Sequence, residues 1–318
     1  MKPQRRAFLS LLARASGAGL LLTGGYAVLH RRPIRRGSEG LVLPDYRQGL
    51  ESLDIAMSAA DARLPDVGVR RAVEALGGMD RFVLPGDRVL IKPNVGFDRP
   101  PSFGATTSPE VVSAVVRLCR EAGAREVWVT DNPINNPRRC FAVSGIGSAA
   151  EAAGATVLLP RASDFGSIVI QGEAIGSWEG LADLLGRADR LIGIPTVKDH
   201  NLAGISVTMK NWYGFLGTGR NTFHQKLDEV IADLAGAFAP TLVVVDGTRS
   251  LIRNGPTGGR ASDVMATDQV AAGTDQVALD SWAAELMGRS SRAIKSIRLA
   301  ERRGFGTSTW RSLNPVMT

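Results

Sequence analysis

The chain has 318 residues, 44% apolar and 22% charged, a balance that supports a sizeable buried core and excludes a disordered or membrane-filling composition. Its net charge of +7 suggests nucleic acid only until the placement is read: Lys2, Arg5, Arg6, Arg14, Arg31, Arg32, Arg35 and Arg36 all precede residue 37, with no acid among them. Removing those eight leaves 30 basic against 31 acidic residues, a near-neutral body without the basic footprint that nucleic-acid binding needs.

Residues 4–12, Gln-Arg-Arg-Ala-Phe-Leu-Ser-Leu-Leu, place Phe8 and Leu9 just behind the Arg5-Arg6 pair. The pattern resembles a twin-arginine export signal. The uncharged run from Ala15 to Leu29 has 15 residues, short of the roughly 20 of a membrane-spanning helix and suited to a signal's apolar region. No small-x-small cleavage site precedes the basic stretch His30–Arg36, so the segment is either trimmed or kept as an N-terminal membrane anchor. The expected division is 1–36 as signal or anchor, 37–49 as linker and 50–318 as an α/β domain, whole or in two lobes around a cleft. The expected location is periplasmic, free or anchored, with the twin-arginine export machinery as a partner.

From about residue 50, short apolar runs alternate with helical patterns, which predicts an α/β fold: a largely parallel twisted sheet flanked by helices in Rossmann-like layers. Strands are expected at Arg88–Lys92, Glu126–Thr130, Thr156–Leu159, Arg190–Ile194, Thr241–Val245 and Gln269–Ala272. Between the first two, Thr107 or Ser108 can cap a helix whose first turn holds Pro109 and Glu110. Val111, Val115, Leu118 and Ala122 continue it at helical spacing and Gly123 ends it. Cys119 falls on this pattern as a small buried hydrophobe; Cys140 follows Arg138 and Arg139, cations able to lower a thiol pKa, but an ordinary unreactive cysteine is the favoured reading there too. Two cysteines are too few for an iron–sulfur cluster held by one chain, which takes four thiolates. Further helices are expected over Gly145–Gly154, Asp228–Phe238, Gln276–Met287 and Arg292–Arg303, and a loop at Asn254–Gly259.

In such folds, ligand sites form beyond the carboxyl ends of the strands. Here the strand ends lead into Lys92-Pro93-Asn94, Thr130-Asp131-Asn132, Thr196-Val197-Lys198, Asp246-Gly247-Thr248 and Thr274-Asp275. Each aspartate alone is also a good turn former; the repetition is what suggests one cleft. Two of the three histidines, His200 and His224, share the polar glycine-bearing stretch from Lys198 to His224 with Lys210, Asn211 and Arg220. Imidazole transfers protons near neutral pH and binds divalent metals, and a group of cations suits carboxylate or phosphate. Gly-x-Ser-x-Gly, His-Glu-x-x-His and a Walker phosphate loop are absent, which argues against common hydrolase, zinc-protease and nucleotide-site designs.

The runs Val89-Leu90-Ile91-Lys92-Pro93-Asn94-Val95-Gly96, Thr107-Ser108-Pro109-Glu110-Val111-Val112, Lys198-Asp199-His200 through Lys210-Asn211-Trp212-Tyr213-Gly214, Asp246-Gly247-Thr248, Gly255-Pro256 and Asp275-Gln276-Val277-Ala278-Leu279-Asp280 resemble the domain-of-unknown-function 362 family. The resemblance runs in family order from about residue 50 to the end. It implies a fold and a shared cleft without an assigned reaction. Many members carry a ferredoxin-like module and an iron–sulfur label; this chain lacks that module, so the label does not transfer. A second stretch, His200-x-x-x-Ala-Gly-x-Ser-x-x-x-Lys210, is similar to the nickel-pincer lactate racemases, where the matching lysine anchors a nickel-bearing pyridinium cofactor. Val207 and Thr208 stand where that family has glycines.

The sequence thus points to an exported protein acting on a small anionic ligand. As an enzyme, it would use His200, His224 and Lys210 as catalytic groups in acid–base or metal-assisted chemistry, with racemisation or isomerisation the most economical reaction. Lys92, Asn94, Lys198, Asn211 and Arg220 would bind the substrate. Asp131, Asp246 and Asp275 would orient these groups or complete a divalent-metal site. The rival expectation is a periplasmic ligand- or metal-binding or maturation protein with the same cleft and no turnover.

Overall fold

The computed structural model describes residues 40–47, 50, 58–61, 63–258 and 260–318, so the export-signal reading of residues 1–36 lies outside the described residues. The strands are β1 (Leu41–Val42), β2 (Ser58–Asp61), β3 (Arg88–Pro93), β4 (Glu126–Val129), β5 (Thr156–Val157), β6 (Gly166–Val169), β7 (Ser177–Gly180), β8 (Arg190–Ile194), β9 (Thr196–His200), β10 (Gly204–Ser206), β11 (Leu242–Leu251), β12 (Val264–Gly273) and β13 (Val316–Met317). The helices are α1 (Pro65–Glu74), α2 (Pro109–Glu121), α3 (Pro137–Val143), α4 (Ile146–Ala152), α5 (Ala182–Arg187), α6 (Thr208–Asn211), α7 (Leu227–Ala237), α8 (Gln276–Leu286) and α9 (Lys295–Arg302).

The main sheet runs β13-β2-β12-β11-β8-β3-β4-β5, with β9 beside β11 and β10 beside β9. Its centre, β11-β8-β3-β4-β5, is parallel, as the α/β alternation predicts. Of these, β11, β8, β3 and β4 are almost wholly buried because both faces of the sheet are covered there. Alternate residues therefore enter two separate cores. Val89, Ile91, Ile192 and Val244 pack with α1, α2 and α4. Leu90, Leu191, Val243 and Val245 pack with α5, α7, α8 and α9. Among the described residues no helix is long and apolar enough to cross a membrane.

Three local departures bear on the site. First, β12 runs antiparallel to β11, pairing Gly273 with Val243, so its carboxyl end lies at the edge where the parallel strands begin. Second, the polar glycine-bearing stretch opens as a hairpin around His200, with Ser206 opposite Lys198 and Gly204 opposite His200. Third, the Ser108 side chain does not cap α2. Its N–H donates to Asp246 Oδ2 at 2.6 Å and its hydroxyl pairs with Thr248.

Two smaller differences lie outside the cleft. Leu41 and Val42, inside the stretch expected to be linker, pair with Ile168 and Val169 of β6. Cys140 is buried, and burial pushes its thiol up to about 11, which fits the unreactive reading and not a thiol activated by its arginine neighbours.

Candidate functional site

The carboxyl edge of the parallel strands forms the floor of a cavity of about 310 Å³. Lys92 near the end of β3 and Asp131 just after β4 meet there, Nζ to Oδ1, at 2.7 Å. Asp131 is otherwise saturated by the N–H groups of Asn132 and Val95. Lys92 also donates to the Pro93 carbonyl and to Asn211 Oδ1. The backbone at Gly214 presses against this pair so closely that a Cβ would collide with both Asp131 and Lys92.

Strand geometry places the next cation. Along β9, residues two apart share a face, so Lys198 and His200 both face the cavity while Asp199 faces away. Asp199 instead accepts from the Gly255 N–H and pairs with Arg289. Lys198 donates to Asn94 Oδ1 at 2.9 Å and to the Ala105 carbonyl at 2.7 Å. Asn94 in turn donates to Asn211 Oδ1, so the two asparagines link the Lys198 and Lys92 ammoniums. Lys210 sits on α6, whose first N–H groups, of Thr208 and Met209, donate to the buried Asp280 carboxylate. Asp280 is thus a positioning residue for Lys210 and Asn211. The sequence shows it only as the last residue of the run Asp275–Asp280, inside a helical pattern that gives it no role. Burial pushes its carboxyl up to about 7.

Neither Lys198 nor Lys210 has a carboxylate partner among the described residues, and the Lys210 ammonium makes no hydrogen bond there. Aromatic rings cover all three lysines, with ammonium-to-centroid distances of 5.5 Å for Lys92 on Phe215, 5.1 Å for Lys198 on Phe97 and 5.0 Å for Lys210 on Tyr213. Burial, reinforced by the neighbouring Lys210, pushes Lys198 down to about 7; burial with the nearby Arg220 and Lys92 pushes Lys210 down to about 8. Arg220 lines the same cavity but spends its guanidinium on the carbonyls of Tyr213, Leu216, Asn132 and Pro133. It clamps two walls of the cleft together while adding positive potential. Among the lining residues Asp131 is the one carboxylate facing Lys92, Lys198, Lys210 and Arg220.

The two histidines present opposite faces. His200 Nδ1 accepts the N–H groups of Leu202 and Ala203, both at 3.2 Å, which closes the hairpin turn and leaves the ring proton on Nε2. Burial and the nearby lysines hold this imidazole neutral, with its pKa pushed down to about 3. His224 is exposed at the cavity mouth, and its Nδ1 donates to the Asn221 carbonyl at 2.7 Å, which leaves a lone pair on Nε2. One ring therefore offers a donor and the other an acceptor.

Two residues expected at the cleft lie elsewhere. Asp246 is buried behind it, receiving Ser108 and Thr248, and Ser108 in turn adjoins Thr107, whose hydroxyl accepts the Asn94 N–H. Its influence on the cavity runs through that chain of contacts. Asp275 lies at the opposite sheet edge, where reversal of β12 puts it, and caps α8 by accepting from Ala278 and Thr307. Ile134, Leu202 and Phe97, which the polar motifs did not single out, line the cavity. A larger cavity of about 440 Å³ beside Asp233 and Arg303 holds charges already satisfied by one another and by backbone.

Among the described residues no three His, Cys, Asp or Glu side chains converge as a metal-binding group. The nickel-bearing pyridinium group implied by the second resemblance does not fit these residues either. Val207 and Thr208 fill buried positions, and His200 has committed its available lone pair to two backbone donors.

The architecture and cleft define an α/β protein with a cation-rich pocket at the carboxyl edge of a mainly parallel sheet. The chain belongs to the DUF362 family, described as a domain of unknown function, whose model matches residues 89–285. It is 30% identical over 254 residues to a thylakoid-associated protein of Synechocystis sp., covering 74% of each chain. A solved structure, the lactate racemase apoprotein from Thermoanaerobacterium thermosaccharolyticum, is similar with a TM-score of 0.38 and 14% identity. That match takes in 74% of this chain and spans 56% of the racemase.

Proposed function

We propose that this cleft binds a small polycarboxylate and exchanges a proton on a carbon next to a carboxylate, as a racemase or isomerase would. The observation that carries this reading is the pair of covered ammoniums, Lys198 and Lys210, with no carboxylate of the described protein against either. An anion supplies the missing partner. Removing a C–H proton beside a carboxylate adds negative charge to that anion, and preorganised cations favour the more charged state. Lys198 and Lys210 hold the anion, the His200 Nε2–H donates to its developing charge, and the His224 Nε2 accepts the proton. Lys92, Asn94 and Asn211 hold the floor in place.

The test is binding of malonate by calorimetry, with exchange of its methylene protons in D₂O followed by NMR. Binding and exchange are expected in the wild type, and loss of binding in Lys198→Met. His224→Gln should retain affinity while exchange falls about 100-fold or more, the usual contribution of a positioned base. Absence of binding overturns the anion site. Binding without exchange above that of His224→Gln overturns the catalytic half and leaves a ligand-binding protein.

Export is a separate proposal, supported by Arg5, Arg6, Phe8 and Leu9. Cell fractionation should find the wild-type chain in the periplasmic or membrane fraction and the Arg5→Lys/Arg6→Lys chain in the cytoplasm. Equal distribution of the two would overturn it.

A further inference from the structure

Beside the polar Asn201, Asn221 and His224, the mouth of the cation-lined cavity carries two large aliphatic side chains, which its charged floor does not require. Ile134 is 67% exposed and Leu202 58% exposed, yet both line the same cavity as Lys198 and Lys210. Their exposure is built in. The Ile134 N–H donates to the Gly96 carbonyl at 3.0 Å, and the Leu202 N–H donates to His200 Nδ1 at 3.2 Å. Both aliphatic side chains thus stand on short turns pinned to other residues of the cavity. Phe97, which covers Lys198, continues the apolar wall inward.

We infer that the ligand is amphiphilic: an anionic head on the lysines with an unbranched alkyl or acyl chain leaving between Ile134 and Leu202. The inference rests on the anion-binding reading above and adds the class of ligand. Size supports it. At about 30 Å³ for each water-sized group, a cavity of 310 Å³ takes roughly ten such groups, enough for a carboxylate head and a few carbons. A longer chain must emerge at the mouth, where large aliphatic side chains are set. Water gains little from contact with Ile134 and Leu202, whereas a hydrocarbon chain would remove their surface from solvent.

The test uses malonates carrying methyl, butyl, hexyl or octyl at the central carbon, so that the dianionic head stays constant. Full removal of one methylene from water is worth about fourfold in affinity, and about twofold is expected at a half-open rim. Affinity should therefore rise at least tenfold from methyl- to hexylmalonate. In the Ile134→Ser/Leu202→Ser double variant the rise should shrink to less than threefold, with methylmalonate affinity unchanged. A flat profile in the wild type with methylmalonate still bound overturns the amphiphile and leaves the anion site standing. An equal rise in the double variant overturns the assigned exit. Failure of every malonate, methylmalonate included, removes the anion site and this inference with it. If the wild-type profile is flat and the double variant loses sedimentation with anionic lipid vesicles, the rim belongs to a membrane contact instead.

Discussion

Lys92 Nζ and Asp131 Oδ1 lie 2.7 Å apart with their side chains 1% and 3% exposed, so the deepest cation of the cleft already has its counter-ion. That pairing separates a structural charge from the charges left for a ligand. Breaking a buried pair on one side leaves an isolated charge and typically costs about 3–5 kcal/mol. Asp131→Asn is expected to lose stability in that range by urea unfolding. Lys92→Met/Asp131→Leu should recover much of it, since two apolar groups leave no buried charge behind. A double variant no more stable than Asp131→Asn would contradict the pairing energetics.

The backbone at Gly214 packs directly against this pair. A methyl group there meets Asp131 and Lys92 directly, so Gly214→Ala should destabilise the protein by about 2–4 kcal/mol, as overpacking combined with a broken ion pair does. Gly176 has no atom within 4 Å of the corresponding position and serves as the comparison. Gly176→Ala should shift stability by no more than about 1 kcal/mol, and towards greater stability if at all. Thermal unfolding of both variants decides the point.

Anion affinity should depend on pH through Lys198 and Lys210, pushed down to about 7 and about 8 chiefly by burial. The anion binds the ammonium forms. Affinity for malonate is therefore expected to be level below the lower pKa and to fall on the alkaline side, by up to about tenfold per pH unit for each proton lost. Binding near pH 8 should take up between about one and two protons, measurable by calorimetry in buffers of different ionisation enthalpy. Without ligand the sign reverses. The unfolded lysines keep their protons to higher pH than the folded ones, so the contribution of this pair to stability rises with pH above about 7.

His200 should dominate a different limb. Its pKa is pushed down from 6.5 to about 3, so between those values the unfolded chain holds the extra proton and stability falls as the solution is acidified. The loss between pH 6.5 and 4.5 should be about 2 kcal/mol. In His200→Asn the side-chain oxygen can accept the same turn N–H groups without titrating, and the acid loss should shrink accordingly. Parallel acid titrations of chemical stability in the two proteins check this. Identical slopes would place the acid sensitivity elsewhere.

Much of this cleft was legible in the sequence because the ends of the parallel strands were readable. Lys92, Asp131 and Lys198 follow or end parallel strands, and they converge on one edge as that rule requires. Asp275 follows a strand end just as plainly, but its strand runs the other way. Nothing in the run Gln269–Ala272 encodes direction, because apolar strand residues fit either orientation. Asp280 and Arg220 were obscured for another reason: their roles are defined by backbone groups, of Thr208 and Met209 in one case and of four carbonyls in the other. Backbone partners brought from distant segments carry no residue signature.

The sequence by itself determined the layered α/β class, the α2 boundaries at Pro109 and Gly123, the charge asymmetry of residues 1–36, and the cluster of ionisable groups between Lys198 and His224. Those features depend on local periodicity and composition, which the chain carries along its length. Only the tertiary structure decided which cations kept a free charge, which histidine nitrogen held its proton, and that Ile134 and Leu202 stand at one mouth. Each of these depends on a hydrogen bond or burial event between segments, and such contacts exist only after the chain has folded.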